Sequence, residues 1–182
     1  DILISNLDKK DYIENSNNVL EILKSTPEVG VISPRFTKGV TLEANYQTKK
    51  DTDKANIASG QLSGINPSAE DELTGLASHI VEGSYLEPGD YDKVVLGYFL
   101  LDRYLTIDNA DLSTLKNVYV GTKLRLTING AQREVVVKGI IKSKIDNVSR
   151  GIFMVDTQAK NLIGSDGNFG QMTVYCGNAI FV

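Results

Sequence analysis

His79 and Cys176 are the only histidine and the only cysteine in 182 residues. Nucleophilic catalysis needs a hydroxyl or thiol, a base within hydrogen-bond reach of it, and a third group that orients the base. Ser78 precedes His79, but adjacent residues on a helix project in different directions, and no G-x-S-x-G turn is present to expose a serine. A structural histidine is the simpler reading. Cys176 ends "QMTVYC", a strand-like stretch in which a small buried thiol behaves as a hydrophobe.

Metal and phosphate chemistry fare no better. "DTDKAN" opens as a calcium loop would, with Asp51 and Asp53. Ala55 and Asn56 then stand where a ligand and the turn glycine belong, and Leu62 occupies the place of the bidentate glutamate. "GSDGNFG", residues 164–170, has the glycine density of a phosphate loop without its Lys-Ser/Thr or a G-x-G-x-x-G spacing. Glu87, Asp90 and Asp92 flank a Pro-Gly turn, an ordinary place for acids. Asn147-Val148-Ser149 is a glycosylation tripeptide that matters only outside the cytoplasm. A lone cysteine permits neither an internal disulfide nor a CxxC metal site. The sequence therefore assigns no catalytic, cofactor-binding or metal-binding residue, which favours a binding or mechanical module.

Composition narrows the partners. The net charge is -4 with no Lys/Arg-rich tract, which argues against nucleic acid. No apolar run approaches the roughly 20 residues of a membrane span. The 41% hydrophobic content suffices for one core, or one core with a small satellite. The chain opens on "DILIS" and ends on "AIFV", strand-like ends expected of a piece of a longer protein.

The elements follow from periodicity. "DILIS" reads as a strand, followed by a helix through about Lys24 that Pro27 closes. "VGVISPRF" and "GVTLEANYQ" read as two strands joined at Thr37-Lys38-Gly39, and "IASGQLSGI" as another. Asn66-Pro67 with Glu70, Asp71 and Glu72 marks a helix entry, where the dipole favours acids. "VVLG" is a buried strand, and "YFLLDRYL" predicts about two helical turns. The clearest local signal is "TKLRLTINGAQREVVVKGII", two strands about Asn129-Gly130, the dipeptide best suited to a type I′ turn. Leu124, Leu126 and Ile128 alternate with Arg125 and Thr127, so one face is buried; Gly139 marks a bulge. "GIFMVD" is a strand, "TQAKNLIG" a helix capped by Thr157, and "QMTVYC" a strand. Helices mixed with mostly antiparallel pairs indicate an α+β fold.

The stretch 79–105, "HIVEGSYLEPGDYDKVVLGYFLLDRYL", combines these signals with almost no catalytic side chains. Gly83 is expected to serve a tight turn, Pro88-Gly89 the turn between strands, and Gly97 a close passage of backbones. The stretch reads as a frame.

The order of motifs resembles a known family. "TPEVGVISPRF", then "HIVEGSYLEPGDYDKVVLGYFLLDRYL", then "VGTKLRLTINGAQREVVVKGIIKS", then "GIFMVDTQAKNLIG" is similar to the MacB-like periplasmic core domain. That domain occurs in permease subunits of ABC transporters related to MacB, LolC/LolE and, more distantly, FtsX. Ser84 and Thr122 depart from the basic residue and the aspartate frequent at those places. The resemblance implies a porter-like α/β sandwich subdomain, 1–105 plus 150–182, with an inserted β-rich, hairpin-containing subdomain at 106–149. It implies an extracytoplasmic domain anchored by transmembrane helices absent from this chain, mechanically coupled to a cognate ABC ATPase that hydrolyses ATP elsewhere. A permease dimer partner, and an accessory protein or exported substrate, are the implied partners; no cofactor is. The competing readings are a free-standing soluble α+β binding protein and, behind it, a hydrolase using Ser78, His79 or Cys176.

Overall fold

The computed structural model describes residues 2–6, 10–105, 113–164 and 167–176. Nine strands and four α-helices are distributed along them, an α+β architecture. The strands are β1 (Ile2–Ser5), β2 (Val29–Glu43), β3 (Ile57–Ile65), β4 (Ile80–Gly83), β5 (Lys93–Gly97), β6 (Lys123–Ile128), β7 (Ala131–Ile141), β8 (Gly151–Val155) and β9 (Gln171–Cys176). The helices are α1 (Ser16–Ser25), α2 (Pro67–Thr74), α3 (Asp146–Ser149) and α4 (Asp156–Ile163).

Strand pairing closes on itself. β2 pairs with β3, β3 with β8, β8 with β5, β5 with β7, β7 with β6, and β6 returns to β2 through Thr41–Glu43. Six strands thus form a ring, in which β3–β8 and β5–β7 are parallel and the rest antiparallel. β9 and then β1 extend the sheet from the first half of β2, and β4 pairs along β7. Closure removes the exposed edges of the ring strands.

Alternation decides what fills it. Leu42, Leu62, Leu96, Leu124, Leu126 and Ile152, all fully buried, belong to one apolar cluster inside the ring. The hairpin alternates as its sequence requires, with Leu124, Leu126 and Ile128 buried and Arg125 and Thr127 partly exposed. The residues on the opposite parity of the strands, Ile65, Val95 and Phe153, form a second cluster outside the ring with Ile141, Leu76 and Leu86. A bulge makes this possible on β7. Val94 lies opposite Val137 but Val95 opposite Gly139, so Lys138 is the extra residue. The extra residue reverses the phase of the strand. Val135 and Val137 face the inner cluster before it, and Ile140 joins them after it, freeing Ile141 for the outer one.

Three expectations are corrected. β2 runs unbroken through Thr37-Lys38-Gly39, because continuous pairing of Phe36–Glu43 with β3 leaves no turn there. "YFLLDRYL" forms two 3₁₀ turns, Tyr98–Leu100 and Asp102–Tyr104, separated by Leu101, whose extended backbone bridges to Leu115. Thr157 does not cap α4; the helix starts at Asp156, whose carboxylate accepts the Thr157 N–H at 2.6 Å. α2 follows its sequence signals: Asn66 caps it through the Ala69 N–H at 3.1 Å, Pro67 opens it, and Gly75 ends it at φ 64°. Among the described residues no helix is long and apolar enough to cross a membrane.

Candidate functional site

The stretch 79–105 lies along β7. β4 and β5 pair with opposite edges of β7, and a turn closed by the Asp90 N–H on the Glu87 carbonyl at 3.0 Å places Pro88 and Gly89 at its tip. The Lys138 bulge reaches into this frame, its carbonyl accepting the Ser84 N–H at 3.1 Å. That approach is why residue 83 has no side chain: a Cβ there would lie 2.2 Å from the Lys138 oxygen, at φ 74°. At Gly97 a Cβ would lie 2.3 Å from the Ser149 carbonyl oxygen, so α3 packs directly on the β5 backbone. Asn129 and Gly130 both adopt positive φ, 49° and 83°, at the turn between β6 and β7.

Asp90 and Asp92, beside the Pro-Gly turn, are tied to bases. Asp90 pairs with Lys138 and accepts the Glu87 N–H at 2.7 Å. Asp92 pairs with Arg133 at 2.8 Å, and that hydrogen bond holds its carboxyl below the ordinary aspartate range although partial burial opposes the shift. A general acid at neutral pH needs the opposite displacement.

Ser78 and His79 are in contact, contrary to the expectation for neighbours on a helix. The 3₁₀ turn Leu76–His79 brings the Ser78 Oγ within 3.2 Å of His79 Nδ1. Both side chains converge on one carbonyl, with Ser78 Oγ at 2.7 Å and His79 Nδ1 at 3.1 Å from the Gly75 oxygen. The serine hydroxyl donates to that carbonyl at the shorter distance, an arrangement that caps the turn rather than pairing a nucleophile with its base. Cys176 ends β9, outside this arrangement. Among the described residues no cluster of three His, Cys, Asp or Glu could hold a metal. The Asp51–Asp53 segment is a turn in which Asp53 accepts the Lys50 N–H at 2.9 Å. Ser165 and Asp166 of the glycine-rich segment lie outside the described residues, as do residues 106–112 of the connection before the hairpin.

Sequence reasoning missed a cleft of about 290 Å³ on the outer face of the ring. Its floor is the sheet where β9, β2, β3 and β8 meet; α2 with the turn after it forms one wall and Ser143–Val148 the other. A buried ion pair sits beside the floor. Arg35 reaches Glu70 of α2 through Nε at 2.9 Å and Nη2 at 2.5 Å, and Ser33 donates to the same carboxylate at 2.6 Å. The Glu70 side chain is 2% exposed and that of Arg35 20%. Tyr85 packs against α2, its hydroxyl 3.3 Å from the Pro67 carbonyl; burial, then Glu70 and Asp71, push the phenol pKa up. The available signal was the run of odd-numbered polar residues, Ser33, Arg35, Gln61 and Ser63, on strands whose even-numbered residues are mostly apolar.

Comparison with known proteins fits this architecture. No family model matches the chain, and no curated protein does. Solved structures do. The extracellular domain of YknZ, a noncanonic ABC-type transporter from Gram-positive bacteria, matches over 97% of this chain and 83% of its own, with a TM-score of 0.60 and 13% identity. The chain has the fold of a MacB-like extracytoplasmic domain. The periplasmic region of MacB from Actinobacillus actinomycetemcomitans matches over 97% of this chain and 68% of its own, with a TM-score of 0.53 and 18% identity. At these identities the likeness is one of fold, carried along nearly the whole chain rather than by one motif.

Proposed function

We propose that this chain is the extracytoplasmic domain of an ABC transporter permease, moved by ATP-driven rearrangement of membrane helices so that it acts on a substrate or partner outside the membrane. The carrying observation is the fold shared with the YknZ domain over 97% of the chain. The strand arrangement supports it. β1 and β9 are antiparallel neighbours with Ile2 opposite Val174, so the first and last described strands bring the chain in and out at one end of one edge. A domain inserted between two membrane helices requires that geometry. In this reading a cognate ATPase drives the motion through the membrane part, a second permease copy completes the dimer, and an accessory protein or exported substrate meets the domain outside. The chain itself catalyses nothing.

The division into a porter-like part, 1–105 plus 150–182, and a β-rich part, 106–149, is also a proposal. The hairpin contributes Leu124, Leu126 and Ile128 to the core that β2, β3 and β8 also fill. A fragment 106–149 expressed alone is therefore expected to show unfolded circular dichroism, and a cooperative melt by that fragment would make it an independent domain.

Location is tested in intact cells. Lys50 stands in an exposed loop, so Lys50→Cys in a Cys176→Ser background of the full permease should react with a membrane-impermeant maleimide added from outside. Labelling only after permeabilisation would overturn the reading.

A further inference from the structure

Burying polar side chains costs free energy unless each finds a partner. Three of the buried polar residues, Ser63, Glu70 and Thr173, line the cleft. Ser33 and Glu70 satisfy each other together with Arg35. Ser63 does not. It is 9% exposed, its hydroxyl has no partner among the described residues, and the oxygen is not sealed from solvent, so it opens into the cleft it lines. On the same face, the carboxamides of Gln61 and Gln171 are likewise without a side-chain partner among the described residues. Across from them, the His79 imidazole lines the opposite wall, its Nδ1 against the Gly75 carbonyl.

The lining selects the ligand. Its full charges, Arg35 and Glu70, neutralise each other at 2.5 Å, so the cleft offers no free ion to an anion or a cation. It presents both donors and acceptors, the combination that a carbonyl beside an N–H satisfies. Aliphatic side chains stand at the rim, Leu3 57% and Ile145 63% exposed, while Phe153 in the lining is nearly buried and offers no ring face for a sugar. A volume near 290 Å³ equals the liquid share of about ten waters at roughly 30 Å³ each, room for one residue with its flanking amides.

We propose that the cleft between α2 and Ser143–Val148 binds an uncharged stretch of polypeptide, seating one aliphatic side chain and hydrogen-bonding the amides on either side of it. The inference stands on the cleft alone and holds whether or not the chain belongs to a permease. The probe is N-acetyl-leucinamide, titrated into the 182-residue chain and followed by amide NMR shifts. Saturable shifts are expected at Ser63, Val148 and Thr173. Ser63→Leu, which fills the cleft and removes the unpartnered hydroxyl, should weaken binding at least tenfold while the melting temperature holds or rises. Should that variant fail to fold, Gln61→Leu at the exposed side of the floor is expected to weaken binding in the same direction. Tighter binding of the carboxylate N-acetyl-leucine, no saturable shift with the amide, or wild-type affinity in the variant that folds would each overturn the proposal, the second meaning that the cleft holds only water.

Discussion

Beneath α2 and the turn that follows it, the outer face of the ring has two halves of opposite character. Around β5 and the C-terminal ends of β3, β7 and β8, Val95, Ile65, Ile141 and Phe153 pack with Leu76 and Leu86 into a dry cluster. Toward β9 and β2, the same face presents Arg35, Gln61, Ser63 and Thr173, and the wall stands off from the floor to leave the cleft. α2 packs against β2 and β9 over the polar half, and the turn after it carries Leu76 into the dry cluster, so the polar half is not a region where the fold ran out of cover. Apolar residues there would bury at roughly 25 cal/mol per Å² removed from water. A face that forgoes that gain beneath a covering helix fits a half kept for contact with something else.

The largest effect is expected at the buried ion pair of the polar half. Glu70→Ala removes the carboxylate that satisfies Arg35 and Ser33, leaving a largely buried guanidinium unpaired, and should cost about 3–5 kcal/mol in urea unfolding. Replacing Arg35 by Met at the same time should restore part of that loss, and a double variant no better than the single would mean that the pair is not coupled. In the dry half, Ile141→Ala, at a fully buried side chain, is expected to cost about 2–5 kcal/mol in the same measurement. A cost under 1 kcal/mol would show that this half is less tightly packed than its burial implies. The hairpin turn calibrates the scale between them: Gly130→Val forces a β-branched residue to φ 83° and should cost about 1–3 kcal/mol, with no drop in melting temperature as the contrary result. The smallest effect belongs to the unpartnered hydroxyl in the cleft. Ser63→Val deletes an unpartnered hydroxyl and should change stability by less than about 1 kcal/mol, in either direction. A loss comparable to that of Ile141→Ala would mean that Ser63 is structural and that the two halves are alike.

What the sequence made legible was whatever local physics dictates. The hairpin was readable because Asn129-Gly130 and strict alternation each allow one answer, and α2 because Asn66, Pro67 and Gly75 supply both of its ends. β2 was read as two strands because Lys38-Gly39 looks like a turn; only pairing with β3, some 20 residues away in the chain, keeps it straight. Closure of the ring was illegible for the same reason, since β6 meets β2 across about 80 residues. Gly83 and Gly97 stood out in the sequence, but the atoms that exclude a side chain at each, the Lys138 and Ser149 carbonyls, belong to distant segments. The cleft was the least legible feature of all. Its polar residues are scattered over β2, β3, α2 and β9, and each alone looks like an exposed strand or helix residue.

The role proposed for this domain is to convert motion of membrane helices into work outside the membrane. Its most direct test replaces residues 1–182 of the full permease with a short flexible linker and measures ATP hydrolysis and transport side by side. The account predicts that basal ATP hydrolysis persists while transport is lost. Transport continuing at the wild-type rate without the domain would contradict it.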